Sequence, residues 1–150
     1  MIKELVTRFI KLLIKFKIVG KVVTITYQGP GVSLNKFYSQ GHWGTRSAIK
    51  KKYRKIFDTL FAQEEKLIWM DEYALVIMYN SRHDLDNVVG MEKVFVDALK
   101  QETNKDGVVT RYGYVKDDSR KYYKAMTILP DPTLPTNTFQ FHLIDLSKWE

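Results

Sequence analysis

Two short acidic motifs in this chain of 150 residues could support metal-dependent chemistry. Asp84 and Asp86 lie two residues apart, and the pair Asp117–Asp118 follows about thirty residues later. Carboxylates so close together repel one another and are costly to desolvate unless a cation lies between them. Magnesium and manganese prefer oxygen ligands of this kind. Because the net charge of +7 also favours polyanions as partners, the motifs indicate metal-dependent cleavage of a phosphodiester backbone.

The same residues have structural interpretations that the sequence alone leaves open. Asp86 or Asn87 could cap the helix that begins at Val88, with Asp84 in an Asx turn. The pair Asp117–Asp118 could form a turn before a strand. For each motif taken singly the structural interpretation is the stronger one, and only their combination favours a metal site.

Lys93 is the cation that could act beside the first acidic motif. Asp86 and Lys93 are seven residues apart, so on one continuous helix they lie on nearly the same face. Helical side chains lean toward the N-terminus, which directs Lys93 toward the carboxylates. There it could stabilise the charge that builds on a phosphate in the transition state. The alternative is a solvated helix lysine.

Composition excludes several kinds of site. The chain has no cysteine, which rules out disulfides, thiolate zinc sites and a cysteine nucleophile. Its three histidines lack metal-ligand spacing. The apolar stretch over residues 1–18 is interrupted by Lys and Arg side chains, so it predicts neither a signal peptide nor a membrane span. We therefore expect a cytoplasmic protein.

The pattern of apolar residues predicts a single α+β domain. Helices are expected over residues 2–13, over Thr45–Glu65 and over Val88–Lys100. Thr45 is expected to cap the second of them. Strands are expected at Val22–Tyr27, Tyr73–Tyr79, Val108–Val115, Lys121–Leu129 and Thr138–Ile144, with a hairpin at the C-terminal end. The predicted architecture is a compact mixed β-sheet packed with two to three helices over residues 19–150. A helical extension over residues 1–18 precedes it.

The second of these helices carries a basic run that could track a phosphate backbone. Such contacts give affinity without sequence information. The members of the run, together with an arginine beside the first acidic motif, are the predicted DNA contacts: Lys50, Lys51, Lys52, Arg54 and Arg82. A solvated helix face explains the run equally well.

Taken together, these motifs resemble the RusA family of Holliday junction resolvases. His83–Asn87 is similar to the family's Asp-x-Asp-Asn motif. Lys93–Leu99 resembles the family helix in which a lysine precedes Asp-Ala-Leu by four residues. Val115–Asp118 resembles the later Asp-Asp element, and Val32–Asn35 resembles the N-terminal Pro-Ser-x-Asn element. The interval between the first motif and Asp-Ala-Leu is about one helical turn longer than in compact family members.

The resemblance covers residues 22–144 and implies a homodimeric, magnesium-dependent endonuclease, with manganese able to substitute. Such an enzyme resolves four-way DNA junctions in recombination and repair. The resemblance assigns Asp84, Asp86 and Asp118 as metal carboxylates, Lys93 as the catalytic lysine and Asn35 as a further DNA contact. It implies neither an organic cofactor nor a membrane, and it favours a phage origin. The alternatives are a flap or branched-DNA nuclease of the same fold, a non-catalytic DNA-binding module, and a membrane-surface protein that uses the N-terminal helix.

Overall fold

A computed structural model describes residues 2–5, 7–8, 21–32, 43–84 and 87–147 of the chain. The elements are β1 (Lys21–Gln28), α1 (Trp43–Ala62), β2 (Tyr73–Asn80), α2 (Val89–Leu99), β3 (Glu102–Thr103), β4 (Val109–Arg111), β5 (Tyr123–Pro130) and β6 (Thr138–Asp145). The described residues among 2–8 are helical, and the predicted domain boundary at residues 18–19 falls outside the described ranges. Within those ranges, no helix has both the length and the apolar character that a membrane crossing requires.

The main sheet has four strands in the order β1-β6-β2-β5. Strand β6 runs antiparallel to both of its neighbours, whereas β2 and β5 are parallel. Parallel strands need a crossover connection, and α2 provides it. The predicted α+β domain with a mixed sheet is thereby confirmed. The parallel register places Tyr73 beside Tyr123, so the starts of β2 and β5 lie at the same edge of the sheet.

Strand β2 is a continuous apolar run because both of its faces are buried. One set of alternating side chains joins the main core under the helices, namely Tyr73, Leu75, Ile77 and Tyr79. The other set packs on the opposite face with Ile144, namely Ala74, Val76 and Met78. Ile2, among the helical residues near the N-terminus, packs against this second cluster. A strand buried on two sides has no polar alternation, which accounts for the continuous apolar run over Tyr73–Tyr79.

Aromatic rings fix the two helices over the sheet. Phe57 of α1 lies 5.2 Å from Phe95 of α2 and 5.4 Å from Phe141 of β6, measured between ring centroids. Phe95 stacks on Phe141 at 4.0 Å. Such pairs contribute beyond the area that they bury. Because α2 turns this aromatic face toward α1 and the sheet, one of its remaining edges is available to line a pocket.

Two predictions for the second half of the chain, the length of one strand and a hairpin, differ from the structure. The stretch predicted as one strand over Val108–Val115 forms only the short β4, which pairs with β3 in a separate two-stranded sheet. The predicted C-terminal hairpin is absent from the described sheet, because β2 lies between β5 and β6. The proline-rich segment Pro130–Pro135 thus leads the chain past a strand rather than into a tight turn.

Two capping predictions also differ from the structure. Helix α1 begins at Trp43, so Thr45 lies inside its first turn and is not its cap. The N-cap position of α2 is Val88, which offers no side-chain hydrogen bond. The turn before α2 is closed instead by the carbonyl of Asp84, which accepts hydrogen bonds from the N–H groups of Asn87 and Val88.

Candidate active site

A pocket of about 230 Å³ opens where α1, α2 and the loop before β5 meet. Lysines and carboxylates from all three elements converge there, the helix α2 supplying most of them. The lining residues are Lys50, Glu92, Lys93, Val96, Asp97, Lys100 and Asp118. Their spacing along α2 explains the convergence, because residues three and four positions apart share one helical face.

Asp97 is the centre of an ion-pair network at the floor of the pocket. Its side chain is only 9% exposed, and its Oδ2 lies 2.8 Å from Nη2 of Arg54. The Nζ atoms of Lys50 and Lys100 lie 3.9 and 4.0 Å from Oδ1. Arg54 also contacts Glu102 at 2.7 Å. A buried carboxylate needs such partners, so Arg54 joins α1 to α2 and β3 and has its charge balanced within the protein.

Lys100 bridges two carboxylates at the end of α2. Its Nζ lies 4.0 Å from Asp97 Oδ1 and 3.9 Å from Asp118 Oδ2. The side chain of Asp118 is 53% exposed. Exposed ion pairs at these distances are worth at most about 1 kcal/mol. The Lys100–Asp118 contact can therefore rearrange when a cation or a phosphate enters the pocket.

Glu92 is a buried carboxylate that the sequence analysis did not select. It is 8% exposed, and its Oε1 accepts a 3.0 Å hydrogen bond from the hydroxyl of Tyr123. Burial raises the pKa of Glu92, and the charge of Asp118 adds to this effect, whereas the Tyr123 hydrogen bond and Lys93 lower it. The signal that could have found it is a glutamate inside a helix whose apolar residues Val88, Met91, Phe95 and Leu99 recur at helical spacing with Val89 and Val96 on another side.

Two stacked tyrosines hold this edge of the site together. The rings of Tyr73 and Tyr123 lie 4.7 Å apart and nearly parallel. The Tyr73 hydroxyl donates to the carbonyl of Asp117 at 3.1 Å, while Tyr123 holds Glu92. Burial, with the nearby carboxylates, raises the pKa of both hydroxyls, so both remain protonated donors at neutral pH. The start of the sheet thereby positions both the acidic loop and α2.

The structure brings Lys93 and Asp118 of the predicted site into one pocket, but it does not bring Asp84 there. Asp84 is exposed and adjoins the N-terminal end of α2 through its hydrogen bond with Val88. Asp118 contacts Lys100, at the opposite end of this 11-residue helix, which is about 16 Å long. Asp86 lies outside the described residues.

The carboxylates of the pocket have the chemistry that magnesium accepts. Glu92 and Asp118 both line it, and the charge of Asp118 contributes to the raised pKa of Glu92. Within the described part of the chain, no group of three or more His, Asp or Glu side chains is close enough to hold a metal ion. Of the predicted metal ligands, Asp84 and Asp118 lie among the described residues, and Asp86 lies outside them.

The predicted DNA contacts among the described residues lie on α1 and in the bend after β2. Lys51 and Lys52 are exposed on α1, and Lys52 lies over the ring of Tyr53 at 5.6 Å. Lys50 belongs both to this basic face and to the pocket. Arg82 is exposed in the bend after β2. Asn35 lies outside the described residues.

Comparisons with known proteins give no family assignment. No protein-family model matches the chain, and no curated protein matches it significantly. The resemblance to the RusA family therefore stays a prediction from the motifs. The function has to be argued from the chemistry of the pocket and of the surfaces around it.

Proposed function

We propose that this protein is a magnesium-dependent DNA endonuclease that resolves four-way junctions. The observation that carries the proposal is the pocket in which Lys93 lies with the carboxylates of Asp118 and Glu92. The exposed basic face of α1 begins at the rim of the same pocket with Lys50. A site that combines carboxylates, a lysine and a phosphate-binding surface suits hydrolysis of a phosphodiester better than it suits binding alone.

In this mechanism each side chain has one task. Lys50 and the neighbouring lysines of α1 bind the DNA backbone. Lys93 stabilises the negative charge that develops on the phosphoryl group or on the leaving oxygen. The carboxylates would hold magnesium, for which manganese could substitute, and such an ion would polarise a phosphoryl oxygen and lower the pKa of a water. Tyr123 keeps Glu92 in a fixed orientation toward the pocket.

The proposed metal ligands are Asp84, Asp86 and Asp118. Because Asp84 does not line the pocket, Glu92 enters the proposal as the carboxylate that accompanies Asp118 there. Separate Asn and Gln substitutions distinguish these two ligand sets. A ligand is identified by loss of cleavage together with retained DNA binding, since its removal takes away negative charge beside the phosphate.

The direct test is cleavage of a mobile four-way junction in the presence of magnesium, manganese or EDTA. Paired cuts with either metal and none in EDTA are the expected result. A matched flap substrate that is cut much faster would favour the branched-DNA alternative. Junction binding without cleavage under any divalent metal would favour the non-catalytic DNA-binding module and contradict the proposal.

The proposed working unit is a homodimer. A four-way junction offers two equivalent strands, and one chain offers one such pocket with Lys93 among its described residues. A two-fold pair of chains supplies two sites related as the junction arms are. Sedimentation at micromolar concentration tests this, and a monomer that still makes paired, symmetric cuts would contradict it.

A further inference from the structure

The loop that carries Asp118 bears a second basic surface that the sequence analysis did not select. We call it the tyrosine-loop surface and define it by Lys116, Arg120, Lys121 and Tyr122. The three cationic residues are exposed and the tyrosine is half-buried. None of the three cations forms an ion pair with a carboxylate among the described residues.

One aromatic ring gathers two of these cations. The Nζ atoms of Lys116 and Lys121 lie 5.8 and 5.6 Å from the ring centroid of Tyr122. Each cation is attracted to the ring, and neither is paired with a carboxylate among the described residues, so the surface around Tyr122 carries a positive potential. A positive potential of this kind favours an anionic ligand.

The loop is held in place before any ligand binds. The carbonyl of Ser119 accepts hydrogen bonds from the N–H groups of Tyr122 and Tyr123, both at 2.9 Å. The N–H of Tyr73 donates to the carbonyl of Tyr122, also at 2.9 Å. The Tyr73 hydroxyl fixes the carbonyl of Asp117. Because binding then orders little of the backbone, more of the electrostatic attraction remains as affinity.

The tyrosine-loop surface adjoins the candidate active site directly. Asp118 lies in the chain between Lys116 and Arg120, and its side chain lines the pocket. Lys50, on α1, lines the same pocket. The pocket is thus lined by residues of two segments that carry cations, α1 through Lys50 and the loop before β5 through Asp118.

We infer that the tyrosine-loop surface binds the phosphodiester backbone of DNA and guides one strand from the pocket toward the start of β5. The inference rests on the proposed function, whose substrate path it extends. Exposed cations on a fixed loop suit a regularly charged polyanion, and they read no base sequence. Tyr122 contributes by contacting both Lys116 and Lys121 at this surface.

The test compares two double variants that lose the same net charge. Lys116→Ala/Lys121→Ala removes the paired cations, and Lys3→Ala/Lys105→Ala removes two exposed lysines elsewhere. Binding of a four-way junction is measured by fluorescence anisotropy in EDTA over a range of salt concentrations. The first variant should flatten the slope of log affinity against log salt by roughly 1.8, about 0.9 for each phosphate that is no longer neutralised. The control should keep the wild-type slope, and thermal melting checks that both variants fold.

Equal slopes for the two double variants would overturn the inference, since the effect would then reflect net charge alone. The assay contains no metal and scores no cleavage, so it is independent of the nuclease proposal. If the first variant loses binding but wild-type protein never cuts DNA with any metal, the surface stands and the proposed function fails. If wild-type protein cuts junctions but the first variant binds normally, the proposed function stands and the surface fails.

Discussion

The hydroxyl of Tyr123 donates a 3.0 Å hydrogen bond to Glu92 and so ties the first residue of β5 to the pocket-facing edge of α2. Glu92 is 8% exposed, and a carboxylate so buried is costly without a donor. The same tyrosine stacks on Tyr73, which holds the acidic loop. Removing one hydroxyl should therefore change both the stability of the fold and the geometry of the pocket.

Tyr123→Phe should lower the free energy of unfolding by about 1–3 kcal/mol, because it leaves the buried Glu92 carboxylate without its donor. Urea denaturation measures this loss. A Glu92→Gln variant provides the matched background, in which the buried charge is already absent. Tyr123→Phe should cost less there, since the two residues form one coupled pair. Equal costs in both backgrounds would contradict the coupling.

The carboxylate variants separate metal ligands from structural residues. Asp84→Asn, Asp86→Asn, Asp118→Asn and Glu92→Gln should each be measured for junction cleavage with magnesium and for junction binding in EDTA. A ligand variant should lose cleavage and should bind as tightly as wild type or more tightly, because negative charge near the phosphate is removed. A variant that cuts at the wild-type rate removes its residue from the proposed ligand set.

Asp97→Asn should destabilise the protein by about 2 kcal/mol or more, because it leaves Arg54 in a partly buried site without its 2.8 Å partner. Asp58→Asn is the matched control. Asp58 also pairs with an arginine, Arg111, but its own side chain is 51% exposed, so its loss should cost less than about 1 kcal/mol. Chemical denaturation compares the two variants, and similar costs would show that the Asp97 network adds nothing to stability.

His142 should make the fold less stable in mild acid. Burial lowers its pKa below the usual 6.5, and the group that faces it in the structure is the hydroxyl of Thr24, 2.8 Å from Nδ1. The unfolded chain therefore binds the proton more readily than the folded chain. Stability from this group is fully present above the unfolded pKa and falls as the pH drops below it.

Urea denaturation at several pH values between about 7.5 and about 5 measures this effect. Wild-type protein should lose more stability over that range than His142→Gln, which cannot be protonated. Parallel curves for the two proteins would contradict the prediction.

The sequence predicted the elements better than it predicted their arrangement. The run of apolar residues in β2 and the helical spacing of apolar residues in α2 are local signals. Both elements lie within a residue or two of the predicted bounds. The position of β6 between β1 and β2 is not local, since no turn or periodicity near Pro130–Pro135 encodes which strand the chain joins next. The predicted hairpin failed for that reason.

The same distinction between local and non-local information applies to the residues of the candidate active site. Helical spacing predicted that Lys93 shares a face of α2 with Asp86; Lys93 lines the pocket, whereas Asp86 lies outside the described residues, so the shared face stays a prediction. The presence of Glu92 in the pocket depends on Tyr123, which lies 31 residues away in sequence. Whether Asp84 lines the same pocket as Asp118 depends on where each end of α2 lies relative to the sheet. Neither relationship can be read from the spacing within one motif.

The parallel pairing of β2 with β5 has a consequence for how the protein reaches its working form. Every pocket residue except Lys50 lies between these two strands in the chain. Parallel pairing requires the long crossover through α2 to close first, and such non-local contacts form late in folding. A nascent or truncated chain that ends before β5 has no Tyr123 to hold Glu92. Docking of β5 beside β2 and assembly of the pocket are then a single event.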